Sequence, residues 1–305
     1  TVAVLGLASC LYLPQPSEPL PAEFASTPAE SGILAEIEQK IATEHGPLHS
    51  GFHVLDRSDE ALTWRLALLD SAQESLDIVY YLWFGHEVGR LMLERVLKAA
   101  DRGVTVRLLV DDILMIGKDR TLVMLDSHPK VELRLFNPKR QRRLGMATDF
   151  LIRFGQTNSR MHNKLIVADN RAAILGGRNI GNEYFGLDEH FNFHDLDVLG
   201  FGPVARESSS LFDNFWNSEW SVPVSLMDLK VDPEDAAERR IAMANEHVGA
   251  PLLASCDVAP QDGRARLEAL SDSLHPGIGK VIHDRMEGDA LVRGMIAPLR
   301  EVLRS

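Results

Sequence analysis

The sequence is poor in cysteine, in positive charge and in long apolar runs. Its 305 residues include 2 cysteines, Cys10 and Cys256, too few for a disulfide framework. Lysine and arginine number 32 against 44 aspartates and glutamates, a formal net charge of -12. So acidic a chain argues against a general nucleic-acid binder, whose affinity rests on neutralising phosphates with a basic surface. The apolar run from Val2 to Cys10 is too short to cross a bilayer. What is present is 45% apolar residues, enough for a sizeable core, and an ordinary charged fraction of 25%.

The order of periodic segments predicts an α/β unit. Asp59 to Glu74 carries Leu62, Leu66, Leu69 and Ala72 at helical spacing, and a strand over 76–83 follows. A helix from Glu87 to Arg102, stopped by Gly103, leads to a strand over 104–111 whose near-continuous apolar run suits burial on both faces. A short helix around Thr121 to Asp126, strands over 131–136 and 195–202, and a helix from Val204 to Trp220 complete the unit. Residues 11–44, rich in Pro, Ser, Ala and Glu up to Gly32, read as a flexible tether. Residues 45–223 then form the α/β domain, and the more polar 224–305 a less regular extension.

Chemistry concentrates in Arg160-Met161-His162-Asn163-Lys164-Leu165-Ile166-Val167-Ala168-Asp169 and in Gly176-Gly177-Arg178-Asn179. Side chains alternate along an extended strand, so His162 and Lys164 share a face. Leu165 to Ala168 reads as a buried strand, Asp169-Asn170-Arg171 as a turn, and Ala172 to Leu175 as the returning strand, whose exit at Gly176-Gly177 carries Asn179. An imidazole, an ammonium and an amide thereby converge. The imidazole can attack phosphorus or protonate a leaving alkoxide, while Lys164 and Asn179 hold non-bridging phosphate oxygens. This set contains no metal-ligand cluster, so neither a metal nor another cofactor is expected. Asp169, beyond the strand, is expected to brace the hairpin. Asp195 and Asp197 alternate on a later strand, where a carboxylate could accept the Nδ1 proton of His162 and keep Nε2 free.

On these residues the sequence resembles the phospholipase D superfamily, whose signature is this His-Lys-Asp motif with the trailing Gly-Gly-x-Asn. Leu76 to Trp83, Leu108 to Asp112, Val131 to Pro138, Asn179 to Phe185 and Asp195 to Val198 resemble the bacterial cardiolipin synthase branch, nearest its C-type members, and the likeness covers about residues 45 to 305. It implies a phospholipase D-like mixed sheet flanked by helices, one half of a usually two-fold-repeated architecture, with 45–223 as the catalytic half-domain and 224–305 leading toward a second half. It implies a phosphatidyltransferase working through a phosphohistidine on His162, or its hydrolytic variant. Lys164, Asn179 and Asp195 would share the chemistry, and Asp169, Gly176 and Gly177 would frame it. The implied substrate is a phospholipid such as phosphatidylglycerol or phosphatidylethanolamine at a membrane surface, with no nucleic acid.

The chain departs from the family in holding one motif. The other His-x-Lys, His128-Pro129-Lys130, lacks the aspartate and the Gly-Gly-x-Asn, and its proline would interrupt a central strand, so it reads as a turn before Val131. A homodimer, or a chain carrying the second motif, is therefore expected to complete the site. The alternative is a catalytically incomplete half-protein that binds phospholipid or pairs with another chain. Turnover by a monomer would instead point to His190 or His194 as the second acid.

Leu7-Ala8-Ser9-Cys10 resembles a bacterial lipobox, which implies that residues 1–10 are the remnant of a lipoprotein signal, that Cys10 is lipidated, and that the protein is anchored in the bacterial cell envelope. The basic cluster Lys139, Arg140, Arg142 and Arg143 reads equally as a solvated loop or as a contact with an anionic bilayer, where each cation contributes about 1 kcal/mol. Tyr80, Tyr81 and Trp83 read as core and strand-end packing, and Glu183-Tyr184-Phe185 as the start of a helix after Asn179.

Overall fold

A computed structural model of the chain describes residues 20–138, 160–227, 229–245, 263–287 and 290–292. In chain order the first half comprises α1 (Ile33–His45), β1 (Ser50–Leu55), α2 (Ser58–Ser71), β2 (Ser75–Tyr80), α3 (Glu87–Asp101), β3 (Thr105–Asp111), α4 (Asp119–Asp126) and β4 (Val131–Phe136). Then come β5 (Lys164–Ala168), β6 (Ala172–Gly176), β7 (Asp197–Phe201), α5 (Pro203–Trp216), β8 (Ser221–Pro223), α6 (Pro233–Asn245), α7 (Gly263–Ser271), β9 (His275–Gly277), β10 (Arg285–Glu287) and β11 (Ala290–Val292).

Nine strands form one mixed sheet in the order β8-β4-β3-β2-β5-β6-β7-β1-β9, with the motif strand β5 at its centre. The connections through α3 and α4 make β2, β3 and β4 parallel. From β5 onward the pairings are antiparallel, starting with Tyr80 opposite Lys164. Strand alternation sorts the core into two layers. Ile78, Leu108, Ile166 and Ile174 join the larger cluster with Leu62, Leu66, Val88 and Leu91 of α2 and α3. Val79, Leu109, Leu165, Val167 and Ala173 face the other way, against Phe212, Phe215 and Trp216 of α5. Burying β5 on both faces fixes its register, because a slip of one residue would exchange the two layers and move His162 and Lys164 with them.

The expected α/β unit is present with shifted ends. The last expected strand begins at Asp197 rather than 195, and the last helix stops at Trp216, where the amides of Asn217 and Ser218 donate to the carbonyls of Asp213 and Phe215 and a Ser221-to-Ser218 turn follows. Two expectations are corrected. Residues 20–44 are not a free tether: Ala25 and Glu23 donate backbone amides to Asp213 Oδ2 (3.0 Å) and Asn217 Oδ1 (2.9 Å), and α1 buries Ile33, Leu34, Ile37 and Ile41 in the larger cluster. The composition of the segment hides this four-residue spacing. After Pro223, the described elements β9 and α7 are likewise built into the domain, since β9 extends the sheet beside β1 and α7 buries Leu267 and Leu270. His128 is a turn residue as expected, its Nδ1 accepting the Lys130 amide at 3.1 Å. Cys10, Lys139, Arg140, Arg142, Arg143 and Cys256 lie outside the described residues. Among the described residues no helix is long and apolar enough to cross a membrane.

Candidate active site

The turn between β5 and β6 places two residues in the left-handed region, Asp169 (φ 54°) and Asn170 (φ 52°), the residue types that tolerate it best after glycine. Asp169 is buried, and its carboxylate accepts the backbone amides of Gln73, Glu74 and Ser75 at 2.8–3.1 Å. It therefore braces the hairpin against the start of β2, a longer reach than a turn within its own hairpin. At the other end of β6, a Cβ on Gly177 would lie 2.0 Å from Asp195 Oδ1, and one on Gly176 would lie 2.2 Å from Asp197 Oδ1. The two glycines let two aspartates approach the backbone that carries Asn179.

His162 and Lys164 lie side by side at the start of β5. Lys164 Nζ donates to the His162 carbonyl at 2.6 Å and sits 5.5 Å from the Tyr81 ring centroid. The Tyr81 ring also lies against the imidazole, with centroids 4.1 Å apart and planes 32° from parallel. His162 Nδ1 is 3.2 Å from the Arg160 carbonyl, an acceptor, a contact that favours the tautomer with its proton on Nδ1. Burial lowers the Lys164 pKa below the usual lysine value, and the negative charges of Asp195 and Asp197 oppose that shift. Both residues line a cavity of about 600 Å³. Its lining includes the polar Arg160, Asn163, His283 and Asp284 and the apolar Leu165, Leu175, Leu211, Phe215, Ile282 and Leu291. Asn163 Nδ2 is buried there without an acceptor, an unmet donor of the kind a ligand oxygen satisfies.

Asn179 and the two aspartates sit differently from the expected convergence. Asn179 is buried, its Oδ1 accepting the Leu82 amide at 3.1 Å and its Nδ2 donating to the Tyr184 hydroxyl at 2.9 Å. It is absent from the cavity lining and joins the end of β2 to the segment after β6. Asp195 Oδ1 accepts the amide of Leu196 at 2.8 Å, and the acceptor beside His162 Nδ1 is the Arg160 carbonyl, not this carboxylate. Asp195 acts on the site through its charge, supporting the ammonium of Lys164. Asp197 is 1% exposed and pairs with Arg65 (2.9 Å) and Arg178 (3.0 Å), both also buried. His190 and His194 lie in an exposed segment after Tyr184.

Several residues at the site are beyond what the sequence reveals. The spacing of Tyr81 indicates packing, and nothing in it shows that the ring covers an imidazole. Arg178 is visible inside Gly-Gly-x-Asn as a charge between buried positions, which is a signal of a paired charge. Arg65 carries no signal of its pairing with Asp197, which lies 132 residues away, and His283 none of the cavity it shares with His162.

A family model described as "Cardiolipin synthase, PLD-like domain" matches residues 66–216, which run from α2 to the end of α5 and contain the whole motif hairpin. The chain belongs to the phospholipase D superfamily. Cardiolipin synthase C of Escherichia coli (strain K12) is 39% identical over 217 residues, 70% of this chain and 45% of its own length. An uncharacterized protein of Helicobacter pylori (strain J99) is 37% identical over 185 residues, 60% of this chain and 37% of its own length. The chain thus spans less than half the length of these curated relatives. The solved structure of NucT from Helicobacter pylori is similar at a TM-score of 0.41 and 20% identity, over 57% of this chain and 97% of its own. Within this phospholipase D-like domain the motif hairpin is the central pair of strands, with His162 and Lys164 at its open end.

Proposed function

We propose that the chain carries the nucleophilic half of a phosphatidyltransferase site acting on phospholipid phosphodiesters, in the manner suggested by its cardiolipin synthase relatives. The observation that carries this reading is the cavity beside His162 and Lys164, whose lining combines Arg160, Asn163, His283 and Asp284 with aliphatic and aromatic side chains. A phosphodiester with a hydrocarbon tail matches this mixed lining. A polynucleotide offers nothing to the apolar part of the lining, and a formal net charge of -12 opposes its approach.

In the proposed reaction His162 Nε2 attacks phosphorus, the bond to the leaving alcohol breaks, and a phosphohistidine forms. Lys164 offsets charge that builds up on the phosphoryl oxygens. The leaving alkoxide takes a proton from a second group, and the acceptor, a lipid alcohol or water, later returns one as it attacks the phosphohistidine. The second group comes from a second half-site, which a homodimer or a segment carrying the second motif would supply. A catalytically incomplete half-protein that binds phospholipid is the second reading, favoured by the single motif. Location at the bacterial envelope, with Cys10 as a lipid anchor and Lys139, Arg140, Arg142 and Arg143 at the bilayer, belongs to this proposal.

The test compares wild type with His162→Ala on vesicles of fluorescent phosphatidylglycerol and on bis(p-nitrophenyl) phosphate, with products separated by chromatography. The expected result is release or transfer of the phosphatidyl group by wild type and its loss in the variant on both substrates. Turnover retained by His162→Ala would contradict the reading of His162 as the nucleophile. Vesicle binding without turnover by either protein would favour the second one.

A further inference from the structure

The hydrogen bonds around His162 continue away from the cavity, and they end on a residue outside the motif. Asp111 is the last residue of β3, two strands from β5, and it is 0% exposed. One carboxylate oxygen accepts the Arg160 guanidinium at 2.9 Å and the other accepts the Met161 amide at 3.3 Å. The first also accepts the Ile113 amide at 3.0 Å, which fastens the carboxylate to its own turn. The two residues immediately before His162 are thus tied to the end of β3, one by its side chain and the other by its backbone. Arg160 then presents its carbonyl to His162 Nδ1 at 3.2 Å. Tyr81 holds one face of the same imidazole.

We propose that Asp111 is a positioning residue for His162: by fixing Arg160 and Met161 it sets the carbonyl that keeps the proton on Nδ1, and so keeps the Nε2 lone pair available to attack. The inference rests on the reading of His162 as the nucleophile. A carboxylate suits the position because it has to receive donors only. An asparagine of the same shape offers one acceptor oxygen, and its amide nitrogen would face either the Met161 amide or the Arg160 guanidinium, donor against donor. One of the two ties is then lost, the Arg160 carbonyl is released, and both imidazole tautomers become accessible.

Burial bears on the same tie, since it raises the Asp111 pKa to about 6 against the opposing pull of Arg160. The titratable and charged groups interacting with Asp111 include Arg160 from the segment before β5 and the neutral Tyr81 hydroxyl from the segment after β2. Imidazoles as a class titrate in the same pH range. A rate profile would therefore mix the two kinds of group, and the test reads the tautomer directly.

The experiment uses the full chain labelled with ¹⁵N-histidine at neutral pH, with the His162 resonances assigned by their loss in His162→Gln. Wild type is expected to show the Nδ1-protonated form. Asp111→Asn should show a substantial Nε2-protonated population, and its kcat on bis(p-nitrophenyl) phosphate should fall about tenfold to a hundredfold, the usual effect of a misplaced reacting group, with KM within about twofold. Arg160→Gln breaks the same link from its other end and should shift the tautomer in the same direction, which keeps the test decisive if Asp111→Asn does not fold. A wild-type tautomer and kcat in both variants, or a loss of rate that matches only the loss of folded protein by circular dichroism, would overturn the inference. A shifted tautomer together with turnover that survives in His162→Gln would support the positioning role of Asp111 and remove the nucleophile reading alone.

Discussion

Replacing Asp197 by asparagine should be far more damaging than the same replacement at Asp195, although the two aspartates are two residues apart on the same strand approach. Asp197, Arg65 and Arg178 have side chains no more than 1% exposed, and one carboxylate oxygen receives both guanidinium groups. An amide in place of that carboxylate would leave two buried cations without a counter-charge. Breaking a single buried pair this way costs about 3–5 kcal/mol. The same range applies here, not twice it, because Arg65 keeps Tyr80 Oη and the Ala61 carbonyl while Arg178 keeps the carbonyls of Leu55 and Asp56. Asp195 is half-buried and its carboxylate accepts the neighbouring Leu196 amide, so Asp195→Asn should cost under about 1 kcal/mol. Urea unfolding followed by circular dichroism reads the difference. With a slope of roughly 2–3 kcal/mol/M, Asp197→Asn lowers the midpoint by about 1–2 M while Asp195→Asn barely moves it. Equal midpoints for the two variants would refute the argument that the Asp197 cluster holds the open end of the motif hairpin.

The same geometry leads to three further outcomes. Turnover should survive chelation of divalent ions, because Lys164 supplies the positive charge at the phosphoryl group; loss on adding EDTA, restored by a divalent ion, would contradict this. Burial holds the Asp111 proton up to about pH 6 in the folded protein, above its value in the unfolded chain, so this group's contribution to stability is greatest below about pH 4 and declines as pH rises through about 6; the difference in urea midpoint between wild type and Asp111→Asn should change across that window and be flat above it. Specific activity should rise with protein concentration if two copies complete one site, and a strictly monomeric active chain would instead direct attention to His283, which shares the cavity with His162 and whose Nδ1 is already occupied by the Asp284 carbonyl at 2.7 Å.

The motif hairpin is legible in the sequence because its signals are local. Strand alternation puts His162 and Lys164 on one face, Asp169-Asn170 marks a turn that needs positive φ, and Gly176-Gly177 marks a close approach. Helices α2 and α3 and strands β2 to β4 are legible for the same reason, their apolar periodicity being long and regular. The composition of residues 20–44 conceals α1, because four buried apolar residues spaced along one helix face are diluted by the Pro, Ser and Glu around them. The rest of the site is out of reach of spacing alone. Asp197 meets Arg65 across 132 residues and Asp111 meets Arg160 across 49, and such pairs follow from sheet order, with β3 and β5 flanking β2. Residue type assigns Asn179 to the phosphate, yet its amide is spent on Leu82 and Tyr184, a commitment that depends on where β2 ends.

The central claim is that His162 becomes covalently phosphorylated during turnover, and trapping the intermediate tests it most directly. The protein would be mixed with phosphatidylglycerol vesicles, quenched in alkali, digested and analysed by mass spectrometry for a phosphatidyl or phosphoryl group that is stable to base and labile to acid. The account predicts that adduct on the peptide containing His162 and its absence from His162→Asn. An adduct on another residue, or turnover in which the His162 peptide stays unmodified at every quench time, would contradict it.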